Sequence, residues 1–387
     1  MQPTTPQLNQ RLFFLDWLRI IAFAALVLYH VGMYYVSWDF HVKSPFAGPW
    51  LEPWMKLTAP WRMSLLFMVS GAAAAHILKG GVSWALLRRR SAQLLLPLLF
   101  GVVLVVPAQP YFEVVQKFGY QRSFFDFLAL YYSGYKGFCR EWHCLILPTW
   151  NHLWFLPYLW LYTTLVIGCL ALWPAVLRRL ADVAHRLLVG PLLFAVPISL
   201  IFLVRTLMFH RYPATHAVLG DWFNHAIYFP MFVAGAAFAM ASPMWQRLAQ
   251  ARWFALALAL SCWAVLVLAW PGGLLAHAVF ATFQWTALVA AFGFARQHLN
   301  VDHPLRARLT EAVFPVYILH QTVIIVGSQA LLPLRWSPAI EGPVLIMITF
   351  ALSYGGYALV RRVPALHPWM GLTTSRPARS RTAAPIA

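Results

Sequence analysis

The sequence predicts an all-α, polytopic membrane protein of about ten transmembrane helices in one bundle, with both termini in the cytoplasm. Three observations predict it. Hydrophobic residues make up 61% of the chain and charged residues only 10%, with a mean hydropathy of +0.65, far from the composition of soluble domains. Apolar stretches of bilayer-crossing length recur from end to end, at residues 14–36, 59–78, 92–112, 151–173, 189–207, 222–242, 252–270, 273–294, 311–332 and 341–360. The net charge of +18 is unevenly placed. Arg11, Lys79, Arg88 to Arg90, Arg178, Arg179, Arg186, Arg247, Arg252, Arg296, Arg306, Arg308 and the residues from Arg361 onward fall on one side of the spans, which the positive-inside rule makes cytoplasmic. So placed, the basicity reports topology and argues against nucleic acid as a partner, and no nucleic-acid-binding motif is present. The partner it indicates is the lipid bilayer.

Residues 1–362 read as one membrane domain, and residues 363–387, rich in Arg, Ala and Pro, as a disordered basic tail. The first apolar segment is too long for a signal-peptide core and lacks a small-residue cleavage site, so it is expected to remain as a membrane anchor. That segment, RLFFLDWLRIIAFAALVLYHVGMYY, carries Asp16, Arg19 and His30. Ionisable groups inside a span are costly unless paired and used. Eleven residues separate Arg19 from His30, about three turns, so both lie on one face roughly 16 Å apart in depth. Asp16, three residues before Arg19, is spaced to pair with it. The line reads as a site facing the bundle interior, or as two interface anchors and a packing histidine.

The following loop is rich in Trp and Pro and cannot be one helix. Its Trp38, Trp50 and Trp54 suit an aromatic belt or the wall of a glycan site. Span two, APWRMSLLFMVSGAAAAHIL, places Arg62 at its outer end and Ser70 at mid-depth, and Gly71 to Ala75 permit close helix approach. Before span three, Arg88, Arg89 and Arg90 suit either phosphate binding or contact with anionic lipid. Residues 113–150 are too polar to span and too aromatic for a linker, with a short interfacial helix expected from about Ser123 to Tyr132. Within CREWHC, Cys139 and Cys144 admit a disulfide, whereas zinc lacks the flanking ligands. Span four opens with His152, Trp154 and Pro157. Arg205 is placed to snorkel, and His210, His216, Asp221 and His225 read as a polar rim. Span nine, EAVFPVYILHQTVIIV, puts Tyr317 and His320 on one face with Gln321 beside them, as a site or as helix–helix hydrogen bonding.

A histidine within a bundle, basic residues at one membrane surface and aromatic loops at the other suit a donor and an acceptor meeting inside the membrane. Imidazole is the commonest general base for a hydroxyl. A transporter or flippase of an organic anion or glycan precursor is the competing class, though paired helix breaks are not evident. An acyl channel serving a separate transferase is another.

Five motifs in order, LDWLR to YH with Arg19 and His30, LLFMVSG at 65–71, Arg88 to Arg90, HLWFLPYL at 152–159 and FPVYILHQ at 314–321, resemble the acyltransferase family 3 membrane proteins. Chain length, span number and the run WRMSLLFMVSGAAAAHIL are similar to that family's glucan-biosynthesis branch, the osmoregulated periplasmic glucan succinyltransferases. The resemblance implies a bacterial inner-membrane enzyme that acylates a periplasmic glycan from cytoplasmic acyl-coenzyme A (succinyl-CoA or acetyl-CoA), with no bound cofactor and no metal. It implies His30 as base or acyl carrier, Arg19 on the donor with Asp16 orienting it, and Arg88, Arg89 and Arg90 on donor phosphates. Tyr317 and His320 would complete the site and Ser70 would contact substrate. His152 and Trp154 would line the acceptor side. Apart from the resemblance, a succinyl carboxylate would call for a further cation near the thioester, for which Arg62 and Arg205 are candidates that also read as membrane anchors. No esterase-like domain follows span ten, so transfer is expected from the membrane part alone or with a partner. A homodimer is an open expectation.

Overall fold

The computed structural model describes residues 12–78, 80–140 and 143–372. Arg11, Lys79 and residues 373–387, named above, lie outside them. Among the described residues, eight helices are long and apolar enough to cross a membrane, or up to ten if each of two bent pairs counts as one span. In chain order the helices are α1 (Phe13–Tyr35), α2 (Glu52–Thr58), α3 (Arg62–Leu78), α4 (Trp84–Phe100), α5 (Ala108–Phe118), α6 (Phe124–Tyr132) and α7 (Phe155–Leu172). They continue with α8 (Val176–Leu187), α9 (Leu192–Met208), α10 (Trp222–Met240), α11 (Ser242–Leu268), α12 (Gly273–His298), α13 (Pro304–Leu331) and α14 (Pro338–Arg362). Strands β1 (Cys139–Arg140) and β2 (His143–Cys144) pair antiparallel, closed by the Cys139–Cys144 disulfide.

Small residues set the closest helix contact. A Cβ on Gly71 of α3 would lie 1.8 Å from the Phe232 carbonyl oxygen, and one on Gly235 of α10 would lie 1.9 Å from that of Met68. Only hydrogen fits at either crossing, which lets the backbones touch. Phe67 of α3 packs there against Tyr228, Phe155 and Tyr162 at 4.7 to 5.3 Å between ring centroids.

The third span is not one straight helix. Pro97 within α4 and Pro107 before α5 remove amide donors, and the turns between them widen to a π-helix at Gly101–Val105. α4 and α5 meet at 44°. Carbonyls freed by the break find side-chain donors: the Tyr131 hydroxyl to Val102 (2.8 Å), the Tyr132 hydroxyl to Val103 (2.6 Å) and the Thr322 hydroxyl to Val105 (2.9 Å). A Cβ on Gly101 would meet the Leu153 side chain at 2.3 Å, so glycine lets the break pack closely against the turn that precedes α7. The second bent pair turns by 117°. There α8 buries Leu177 and Ala181 and keeps Arg178, Arg179 and Arg186 on its other face, the pattern of a helix lying in the membrane surface.

α6 forms where expected, with Ser123 and Asp126 making a reciprocal capping box. Beyond α14 the chain stays packed through two 3-10 turns, Pro364–Leu366 and Pro368–Met370, and buries Met370 and Leu372. The tail expected to open at residue 363 is therefore ordered to at least Leu372, because its apolar side chains reach the bundle.

Candidate active site

His30 and His320, 290 positions apart, come together with His30 Nδ1 2.8 Å from His320 Nε2. The protons follow from the outermost acceptor. His320 Nδ1 lies 2.6 Å from the Tyr317 carbonyl, which can only accept, so Nδ1 carries the hydrogen and Nε2 the lone pair. Nε2 must then accept from His30 Nδ1–H, leaving the lone pair of His30 on its own Nε2, which points away from His320. A backbone carbonyl thus sets the tautomer of two rings in series. His320 is fully buried and His30 is half-buried.

His152 is held by the same logic. Its Nε2–H donates to the Tyr317 and Ile318 carbonyls, each at 3.1 Å, and its Nδ1 accepts from the Gln109 amide at 3.2 Å. The Tyr317 hydroxyl donates back to the His152 carbonyl. Gln109, buried at the start of α5, is the hub. Its amide also donates to Thr322 Oγ1 at 2.7 Å, and its oxygen accepts from Asn151 and Gln321 at 3.0 Å each. The break between α4 and α5 is what turns Gln109 inward. This residue, with Asn151 and Thr322, was missed from sequence. Its signal was an amide between two prolines in an otherwise apolar run.

Over His30 lies Phe40, its ring 6.5 Å away and nearly parallel. The loop that carries it is strapped to the rest of the protein. His41 meets Glu113 at 2.5 Å, Lys117 meets Asp39 and Glu113 at 2.8 and 3.0 Å, and the Lys43 backbone exchanges two hydrogen bonds with the Gln116 side chain. Lys43 Nζ caps α1 by donating to the Met33 and Val36 carbonyls, and burial pushes its ammonium down to about 8.

At the other end of α1 the expected Asp16–Arg19 pair is present and a second partner joins it. Asp16 Oδ1 lies 3.9 Å from Arg19, but Oδ2 makes a much shorter contact with Arg306 of α13. Arg306, only 4% exposed, also meets Asp302 at 2.8 Å. Asp16 therefore ties α1 to α13, the two helices that bear His30 and His320, in addition to facing Arg19. Arg306 had been read only as a topology signal, since its partner is distant in sequence.

The three adjacent arginines do not converge. α4 already includes them, capped by Ser83 whose hydroxyl accepts from Leu86 N at 3.1 Å. At about 100° per residue they fan around the helix. Arg88 and Arg89 are exposed, whereas Arg90 turns inward, bonds Gln93 at 3.1 Å and lies within electrostatic reach of Arg19. Ser70 lies on α3 beside the Gly71 crossing, outside the imidazole cluster. Trp154 faces a separate aromatic group, 4.4 Å from His216 and 5.1 Å from Tyr158. The expected polar rim nearby is a folded network. Buried Asp221 accepts from Tyr158, from the His216 backbone at 2.9 Å and from Asn224 at 2.8 Å. His225 bonds Tyr162 at 2.9 Å. Arg62, the first residue of α3, is buried over the ring of Tyr29, 3.5 Å from its centroid.

Among the described residues no group of three or more His, Cys, Asp or Glu side chains is placed to hold a metal ion. What the arrangement offers is a neutral imidazole with an oriented lone pair, steadied by a second imidazole. A family model described as an acyltransferase domain matches residues 12–358. No curated protein and no solved structure matches the chain. The match takes in every helix of the bundle and both histidines of the pair: the chain belongs to acyltransferase family 3 and is a multi-pass membrane acyltransferase.

Proposed function

We propose that the protein moves a succinyl or acetyl group from cytoplasmic acyl-coenzyme A to hydroxyls of a periplasmic glycan, an osmoregulated glucan, across a bacterial inner membrane. The observation that carries this reading is the His30–His320 pair with its carbonyl-fixed tautomer. His30 Nε2 takes the proton of the glycan hydroxyl as its oxygen attacks the thioester carbonyl carbon. A carbon–oxygen bond forms, the carbon–sulfur bond breaks, and the proton passes from His30 to the departing thiolate, giving the ester and free coenzyme A. Positive charge developing on His30 is shared through Nδ1–H with His320, the orienting role of the third member of a triad.

Arg19 and Arg90, facing the same basic end, are suited to donor phosphates. Arg19 lies about 16 Å along α1 from His30, a distance an extended pantetheine arm bridges. The apolar cavity beside α1 supports such a path. The positive-inside placement of the basic clusters supports the orientation.

Thiol release by purified protein tests the reading against a transporter or an acyl channel. Release from acyl-CoA that depends on added glucan and is lost in His30→Gln is the expected result. Binding of donor with no thiol release under any acceptor contradicts it.

A further inference from the structure

One cation of the bundle interior is not accounted for by the imidazole network. Arg62, at the first turn of α3, is 7% exposed, and its Nε and Nη1 have no hydrogen-bond partner among the described residues. Its guanidinium rests on the ring of Tyr29, the residue before His30, and it is close enough to His30 to act on it electrostatically. A buried guanidinium with unmade hydrogen bonds is costly, and a ring face compensates only part of that cost.

Arg62 also closes one end of a cavity of about 370 Å³ between α1, α3 and α12. On α1 the cavity is lined by Leu18, Ile21, Ala22 and Ala25; Leu18, Ala22 and Ala25 are spaced as one helical stripe whose next member is Tyr29, and Ile21 is half exposed. On α12 it is lined by Ala291, Phe294, Ala295 and His298. The cavity thus runs as an apolar slot from the end of the bundle that holds Arg19 toward the position beside His30, and Arg62 is the charged group at its head.

We infer that Arg62 binds a carboxylate carried by the acyl group of the donor, making this site selective for dicarboxylic acyl groups of succinyl size. The inference rests on the acyl-transfer reading above. Charge favours a carboxylate over a phosphate monoester: one guanidinium in an apolar slot balances a single negative charge and leaves nearly a second one buried and uncompensated. Planar carboxylate oxygens also accept from guanidinium N–H groups in good geometry. The same chemistry is available to an acidic sugar of the acceptor, entering from the smaller cavity of about 210 Å³ that holds Arg205 and Gln284. Tyr228 borders that cavity and lies within electrostatic reach of both arginines.

The test is binding of succinyl-CoA and butyryl-CoA, which match in carbon number and differ in the carboxylate, to full-length protein in nanodiscs. Wild type is expected to bind succinyl-CoA at least tenfold more tightly. Arg62→Gln is expected to bind both alike, with butyryl-CoA affinity within about threefold of wild type, and Arg62→Lys to fall between. Retained butyryl-CoA binding shows that the variant is folded. Equal binding of the two donors by wild type overturns the inference and leaves the donor reading intact. Absence of binding to either donor contradicts the donor reading and, with it, an acyl source for the carboxylate. If Arg62→Gln weakens binding of a glucuronate-containing oligosaccharide and not of succinyl-CoA, the carboxylate belongs to the acceptor and acyl selectivity is overturned. Loss of a co-purified phospholipid in Arg62→Gln, without donor discrimination by wild type, overturns it in favour of a lipid phosphodiester.

Discussion

Neighbouring positions on α1 face opposite kinds of surroundings. On the His30 side the polar groups that hold the network are paired, from the Tyr317 carbonyl through two imidazoles to the Gln109 hub, and His30 Nε2 is left for the reacting hydroxyl. On the Tyr29 side the nearest cation has two nitrogens with none and an apolar slot beside it. A satisfied buried network is a device for holding geometry, since any change leaves donors or acceptors stranded. A buried cation left short of acceptors is a device for binding. The helix therefore separates positioning from recognition by one residue, about 100° of rotation.

Breaking the satisfied side gives the largest effects. His320→Ala removes the acceptor that fixes the His30 tautomer, and transfer is expected to fall roughly 10²-fold or more in kcat with KM for donor little changed. Steady-state kinetics with matched protein levels check it, and an unchanged kcat places His320 outside the mechanism. Gln109→Leu strands the amides of Asn151 and Gln321 together with His152 Nδ1. At about 1–3 kcal/mol for a stranded group, partly relieved by repacking, the expected loss is about 3 kcal/mol, read as a lower Tm in detergent.

Pinning the same two helices at their basic end matters less. Asp16→Asn deprives Arg306 of one carboxylate while Asp302 remains, for an expected loss of about 2 kcal/mol in denaturation assays. Smallest is the capping box of α6, remote from both sides of the comparison. The Ser123 hydroxyl and backbone N–H hold Asp126 below its usual 3.8. A depressed carboxyl stabilises the fold above its unfolded value and loses that contribution as pH falls through the folded one. Protection factors of the amides at the start of α6, taken against the intrinsic rate at each pH, are thus expected to fall only below about pH 4, with those of the bundle helices unaffected.

Hydropathy and length were enough to read the spans, because a bilayer demands uninterrupted apolar helices. His30 and His320 were legible as histidines inside them. That His320 would complete the His30 site came from the family resemblance and not from the residues, since each was placed on its own helix and only packing decides which faces touch. The partner of Asp16 was read as the nearest cation in sequence, although Arg306 on α13 lies closer in space. Arg88 to Arg90 were read as a unit because they are adjacent, yet helical rotation separates them. Gln109 escaped because its role depends on a helix break whose direction only packing decides.

The central claim is that His30 performs the transfer. Intact-glycan mass spectrometry tests it most directly, using a strain that lacks the gene and is complemented with wild type or His30→Gln at matched membrane levels. A mass increment on the glycan with wild type, reduced by about 10³-fold or lost with His30→Gln, is the result expected of a base at the reacting hydroxyl. The same increment at the same level with both proteins would contradict the account and leave His30 a structural residue.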